Sequence, residues 1–188
     1  MKILMIGAGG TIGKMMTAAL HGHDVITVGR NTGALTFDIS EDTAVENLFK
    51  QVSPIDAIIC TAGDSMTTHL SEINKASFMV GIQQKLWPQI HLVLSGIKHL
   101  NDNGSITLIS GKMGELPAKG SSGKAFVNGA INSFVMAAAQ EMPRGIRLNV
   151  ISPSKASDIN EADLIAAYKR CLTTPVNGEI IRVGYHQQ

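Results

Sequence analysis

The apolar positions of this 188-residue chain alternate between short unbroken runs and stretches of helical spacing. Lys2 to Ile6 is the first run and ends in Gly7-Ala8-Gly9-Gly10-Thr11-Ile12-Gly13. A helical segment, Lys14 to Leu20, follows, and His23 to Arg30 reads as a second strand. After a polar turn over Asn31 to Ala34, Leu35 to Ile39 is a short extended piece. Ser40-Glu41-Asp42 predicts a helix cap with acids in the first turn, Thr43 being an alternative start. That helix runs to about Gln51, with Val45, Leu48, Phe49 and Val52 on one side, and Pro54 ends it.

Ile55 to Cys60 is a mostly apolar strand of the kind buried on both faces of a parallel sheet, and it stops at Thr61-Ala62-Gly63. Ser71 and Glu72 open a helical stretch to Val80. Ile82 to Leu100 has helical spacing, with Pro88 marking an N-terminal turn or a kink. Asn101 to Gly104 reads as a turn, Ser105 to Ser110 as a strand ending at Gly111, and Lys112 to Ser122 as a mobile loop. Lys124 to Glu141 is a long helix rich in small residues and apolar all round, which predicts burial. Ile146 to Ile151 is a strand closed by Ser152-Pro153, Glu161 to Cys171 a last helix, and Glu179 to Val183 a last strand. Strands and helices alternate throughout. The pattern predicts an α/β doubly wound parallel sheet (a Rossmann fold) in three layers, α/β/α, as one domain over residues 1–188.

Composition narrows the function. A formal net charge of +1 and 44% hydrophobic residues argue against disorder and against a basic nucleic-acid surface. Only 4% of residues are aromatic, too few for a base-stacking platform. The first strand begins at residue 2, so no signal peptide is expected before it, and no apolar run reaches the length of a membrane span. Cys60 and Cys171 have no paired spacing, which suits a reduced, cytoplasmic setting. His21 and His23 lie close together, but nothing completes a metal set, and no metal is expected.

The chemistry is concentrated in the glycine run. Strand, glycine turn, helix and strand form the context of a dinucleotide site. A helix N-terminus bears unpaired N–H groups and the positive end of a dipole, so it attracts an anion where no Cβ intervenes. Gly7 permits the sharp exit from the strand, Gly10 lets backbone approach a pyrophosphate, and Gly13 lets the helix lie close to the strand. A structural turn without ligand is the competing reading. At the end of the second strand, where an NAD-preferring site carries an acid, this chain has Gly29-Arg30-Asn31. A guanidinium pairs with a 2′-phosphate and a carboxylate would repel it, so NADP(H) is preferred over NAD(H). The competing reading of Arg30 is a solvated surface residue.

Taken together, Gly7 to Gly13, Asp38-Ile39, Thr61-Ala62-Gly63, Ile106 to Gly111 and Gly145-Ile146-Arg147-Leu148-Asn149-Val150-Ile151-Ser152-Pro153 resemble the short-chain dehydrogenase/reductase family over nearly the whole chain. The resemblance implies a nicotinamide coenzyme held by Gly7, Gly9, Gly10, Thr11, Ile12, Gly13, Arg30, Asn31, Asp38, Ile39, Thr61, Ala62 and Gly63. Asp38 stands at the position that binds the adenine amino group. It also implies a homodimer or homotetramer and a small-molecule carbonyl or alcohol substrate.

The family's YxxxK motif is missing. Lys124 falls at the tyrosine position and Asn128 at the lysine position, and the tyrosines are Tyr168 and Tyr185, far downstream. The serine position falls on Gly111, one residue after Ser110. The asparagine position falls near Lys85, with His91 next. A buried lysine with a depressed pKa works as an acid near neutral pH. Lys124 or Lys85 is thus the candidate proton donor, with Ser110 as oxyanion donor; the competing reading makes Lys112, Lys119 and Lys124 a solvated loop edge and Ser110 the cap of a strand end. Two functions stay open: an NADP(H)-dependent oxidoreductase with an atypical catalytic set, or a catalytically inactive NADP(H)-binding sensor or scaffold.

Overall fold

Seven parallel strands form one sheet in the order β3-β2-β1-β4-β5-β6-β7. The computed structural model describes residues 1–41, 43–155 and 159–185. The strands are Lys2–Ile6 (β1), Asp24–Gly29 (β2), Leu35–Thr36 (β3), Ile55–Cys60 (β4), Leu100–Ile109 (β5), Arg147–Pro153 (β6) and Ile180–Val183 (β7). The helices are Thr11–Ala19 (α1), Ala44–Val52 (α2), Lys75–Gly81 (α3), Trp87–Gly96 (α4), Ser122–Ala138 (α5) and Glu161–Thr173 (α6).

The unbroken apolar runs follow from burial on both faces. Side chains alternate across a strand, so the apolar positions of β1 and β4 meet helix on one side or the other. Ile3, Met5, Ala57 and Ile59 pack with Met16, Leu20, Leu164, Tyr168 and Cys171, under α1 and α6. Leu4, Ile6, Ile58 and Cys60 pack with Val45, Leu48, Phe49, Leu92, Val93, Val127 and Ile131, under α2, α4 and α5. That is the three-layer α/β/α arrangement read from the sequence. Strand order reverses direction between β1 and β4, and a crevice opens there beyond the carboxyl ends of the strands.

The polar residues of the Gly145–Pro153 run hold the fold. Arg147 donates to the carbonyls of Cys171 and Thr174 (both 2.6 Å) and Leu172 (3.2 Å), capping the C-terminal end of α6. Asn149 is fully buried; its amide donates to Val176 O and its oxygen accepts from Glu179 N, which delivers the chain into β7.

Several elements differ from the sequence reading. Asn101 to Gly104 lies within β5 as an irregularity rather than as a separate turn. Pairing jumps from Ile55↔Leu100 to Ala57↔Ser105, and Asn103 has φ +61. Leu100 therefore belongs to β5 and not to the preceding helix. The stretch from Ser71 to Val80 divides into a 3-10 turn, Leu70–Glu72, and α3, whose N-cap Asn74 exchanges hydrogen bonds with Ser77. Helix α2 starts at Ala44, with Thr43 at the N-cap making no side-chain bond, and the Ser40 hydroxyl is engaged by Asp38 (2.7 Å); Asp42 lies outside the described residues. Helix α1 starts at Thr11, inside the glycine run.

Pro88 marks a third kind of irregularity. Ile82–Leu86 is a π-helical turn joining α3 to α4, closed by Trp87 N–H on Ile82 O. Proline has no N–H to continue the α ladder, and such turns re-aim side chains. Lys85 sits on this turn.

Candidate active site

The site is built where β1, β4 and β5 end. Gly7 leaves β1 with φ +83, a value open to glycine at little cost. Its amide and that of Ala8 both donate to Val28 O on β2. A methyl on Gly13 would lie 2.7 Å from Ala8 Cα and overlap the Gly7 carbonyl, so only glycine lets α1 approach this closely. Thr61, at the end of β4, fixes the turn from the other side: its hydroxyl donates toward Ile6 O (3.1 Å) and Gly7 O (3.2 Å). Helix α1 has no capping side chain, and its hydrogen-bond ladder begins only at Lys14 N. The amides of Thr11, Ile12 and Gly13 therefore form a bare, positively polarised helix end.

Arg30, just past β2, is exposed at one side but is not isolated. Its Nε pairs with Asp38 Oδ2 at 2.9 Å and its Nη2 donates to Gln84 Oε1 at 3.0 Å. Burial alone would raise the Asp38 pKa. The hydroxyl and amide of Ser40, with Arg30, outweigh it and hold the carboxyl below its ordinary value. Both Asp38 oxygens are thus already used within the protein. Asn31 is exposed beside Arg30, and Ile39 is buried among core side chains. Gln84 closes this network from the π-helical turn, a contact that sequence order did not suggest.

Beyond Ala62, Gly63 adopts φ +138, and a methyl there would meet Lys85 Cγ at 2.5 Å. The lysine stem lies across this glycine. Lys85 is 7% exposed, and its Nζ donates to Ser110 O and Asn128 Oδ1, both at 2.8 Å. Its third N–H has no protein acceptor among the described residues. Burial pushes its pKa down to about 8; Cys60 and Asp64 oppose the shift and Lys124 adds to it. The two residues standing at exchanged family positions, Lys85 and Asn128, are therefore in direct contact. Lys124 lies one turn before Asn128 on the same face of α5.

Ser110 contributes differently from the expectation. It presents its carbonyl to Lys85, while its hydroxyl is buried with no partner among the described residues. His91 is directed elsewhere, toward Glu46 (2.5 Å) on α2. Gln89, fully buried on α4, takes both backbone groups of Ile109 at 2.9 Å. It does so where the β4–β5 ladder has already ended at Ile59↔Thr107, and so it supports Ser110.

These groups open onto a cavity of about 1190 Å³ that takes in Gly63, Lys85, Ser110, Lys124 and Asn128. Tyr185 stands in its wall as well. Its hydroxyl lies 2.8 Å from Ser152 Oγ and 3.3 Å from Glu115 Oε2, and burial and Glu115 raise its pKa against the pull of Ser152 and Arg182. The parallel pairing Pro153↔Val183 brings this distant tyrosine back to the site. A linear distance along the sequence gave no sign of it.

Comparison with known proteins agrees with this geometry. The chain is 36% identical to the protein lin1944 from Listeria innocua, whose crystal structure superposes with a TM-score of 0.93 over 97% of this chain and 98% of that one. A small-chain dehydrogenase solved in complex with NADPH shares the fold at 24% identity and a TM-score of 0.86, over 96% of this chain and 95% of that one. A short-chain dehydrogenase/reductase, ATR9, from Stachybotrys chlorohalonatus (strain IBT 40285) is 30% identical over 128 residues, 63% of this chain. The matched region covers 50% of that relative's length. The family model for short chain dehydrogenase matches residues 25–162, well over half of the sequence. The chain belongs to the short-chain dehydrogenase family.

Proposed function

We propose that residues 1–188 form one NADP(H)-dependent oxidoreductase domain acting on a small carbonyl or alcohol, with Lys85 as proton donor in place of the family's tyrosine. The observation that carries this reading is the setting of Lys85: buried, fixed by Ser110 O and Asn128 Oδ1, with one N–H left for the cavity.

The first turn fits a dinucleotide. A methyl on Gly10 would meet only Gly7 O, at an ordinary 3.4 Å, so the protein's own packing does not require glycine there. A diphosphate against the bare amides of Thr11, Ile12 and Gly13 gives that requirement a source. Gly9 and Thr32 would flank it, with Ala62 and Gly63 on the far side. The exposed edge of Arg30, next to Asn31, is the support for NADP(H). Solved proteins of this fold include one that holds NADPH and a 4-hydroxyisoleucine dehydrogenase that holds NADH.

When bound, the reduced nicotinamide supplies hydride to the carbonyl carbon. Lys85 Nζ gives a proton to the oxygen and regains one from solvent through the open cavity. A pKa of about 8 suits that exchange at neutral pH. Asn128 and Ser110 O hold the ammonium in place; burial keeps it acidic, and the charge of Lys124 adds to that. Trp87 and Leu94 on α4 and Phe126 and Met136 on α5 leave large apolar side chains exposed, which supports a homodimer through these helices. Two free cysteines support a cytoplasmic setting.

The test is NADPH oxidation over a carbonyl panel, set beside direct NADPH binding. Lys85→Met is expected to cut turnover about 100-fold or more while sparing NADPH binding, and Lys124→Met to cut it by less. A second reading, a coenzyme-binding sensor or scaffold, is favoured by the missing tyrosine and the closed Ser110 hydroxyl. Binding without turnover on any carbonyl selects it.

A further inference from the structure

The charges around the cavity are strongly one-sided. Lys85, Lys112, Lys119, Lys124 and Lys155 all line it, five of the chain's eleven lysines, in a protein whose formal net charge is only +1. Asp64 is the one acid among the described lining residues. Four arginines, Arg30, Arg144, Arg170 and Arg182, each have a carboxylate partner, whereas the lysines, inside the cavity and outside it, are unpaired among the described residues, so the cavity stands out by the number it gathers. Among the described residues, none of the five cavity lysines forms an ion pair. Glu115, beside the cavity, is committed to Arg182 and the Tyr185 hydroxyl. Lys112 instead rests its ammonium 5.6 Å from the Tyr185 ring centre.

Helix α5 adds to this field. Seventeen residues long, it starts at the cavity wall with no acid in its first turn and no side-chain cap; the Ser121 hydroxyl is turned back to Ala118. Like charges gathered around one hollow repel, and low-dielectric walls focus their field on whatever enters. The glycine turn that suits the coenzyme's diphosphate lies outside this lining, so these lysines face the substrate side.

We infer that the substrate is a small polyanion, an oxo or hydroxy compound bearing at least two carboxylate or phosphate charges, bound by the lysines of this cavity. The inference rests on the oxidoreductase reading above and names the substrate class of that same site.

The experiment titrates citrate and inorganic pyrophosphate into the NADPH-saturated chain by calorimetry. Saturable binding is expected that weakens as salt rises. The double variant Lys112→Gln/Lys119→Gln should weaken it about tenfold, and Lys98→Gln, on the surface outside the cavity, should leave it unchanged. Preference of one probe over the other separates a carboxylate from a phosphate requirement. No binding of either probe, binding unaltered in the double variant, or displacement of NADPH by the probe overturns the inference. The last outcome would assign these lysines to the coenzyme's own phosphates. Should NADPH itself give no heat, the oxidoreductase reading falls, and the same titrations on the chain alone judge the anion site separately.

Discussion

Replacing Lys85 by methionine keeps the unbranched stem and removes the amine and its charge. Its amine titrates near pH 8 in the folded protein against an ordinary 10.5, so the unfolded chain binds more protons between these values. Stability supplied by this group therefore rises with pH across pH 8 to 10.5. A shift of this size corresponds to about 3 kcal/mol of burial cost borne by the charged form at neutral pH. Methionine relieves that cost but leaves Ser110 O and Asn128 Oδ1 without a donor, at about 1–3 kcal/mol each. Near pH 7 the two effects nearly cancel, and the variant should unfold within about 2 kcal/mol of the parent.

As pH rises, the curves separate. The parent should gain relative to the variant by about 3 kcal/mol over the window, with a slope approaching about 1.4 kcal/mol per pH unit. The thiols of Cys60 and Cys171, pushed up to about 12 and about 11 by burial, act in the opposite sense: what they supply is lost as pH climbs past their unfolded values. That loss is common to both proteins and drops out of the difference. Urea unfolding followed by circular dichroism at half-unit steps from pH 7 to 10.5 measures it. Parallel curves would refute the claim that the Lys85 ammonium is held out of water.

Other substitutions probe the remaining parts of the site. Gly13→Ala places a methyl against the Gly7 carbonyl and 2.7 Å from Ala8 Cα, both backbone; urea unfolding should register a loss of about 1–3 kcal/mol, with weaker NADPH binding. Gln89→Leu strips both backbone groups of Ile109 of their partners in a fully buried setting, and should cost about 2–5 kcal/mol in the same assay. Gly63→Ala forces a side chain onto φ +138 and displaces the Lys85 stem. Turnover should fall about tenfold or more, the alkaline limb of the pH–rate profile should shift, and NADPH binding should weaken, since Gly63 also borders the coenzyme.

The fold was legible because its information is local. Runs such as Ile55–Cys60 and Ile106–Ile109 are apolar at all positions but Asp56 and Thr107, and only a strand covered on both faces needs that. The glycine turn was legible for a similar reason: Gly13 answers a steric demand from Gly7 and Ala8, and Gly7 one set by its own φ of +83, although Thr61 and Ala62 crowd it too. What escaped is non-local. The Asn101–Gly104 stretch has turn composition, yet Asn103 N–H finds Arg144 O, forty-one positions away, and the chain stays in the sheet. Ser40 looks like a cap until Asp38 claims its hydroxyl. Gln89 and Gln84 look like stray polar residues in apolar helices until the ends of β5 and β2 come into view. Lys85 and Asn128 could be aligned to family positions one at a time, but their contact needs α3, α4 and α5 packed together. Gly81 permits that packing, as a methyl there would meet Val127 at 2.7 Å.

The account depends most on a diphosphate lying against the first turn of α1 with Arg30 beside the extra phosphate. Calorimetric titration of the chain with NADPH and with NADH measures this directly. NADPH should bind about tenfold more tightly than NADH, and Arg30→Ala should erase the difference while leaving NADH binding in place. No heat with either coenzyme, or equal affinity unaffected by Arg30→Ala, would contradict it.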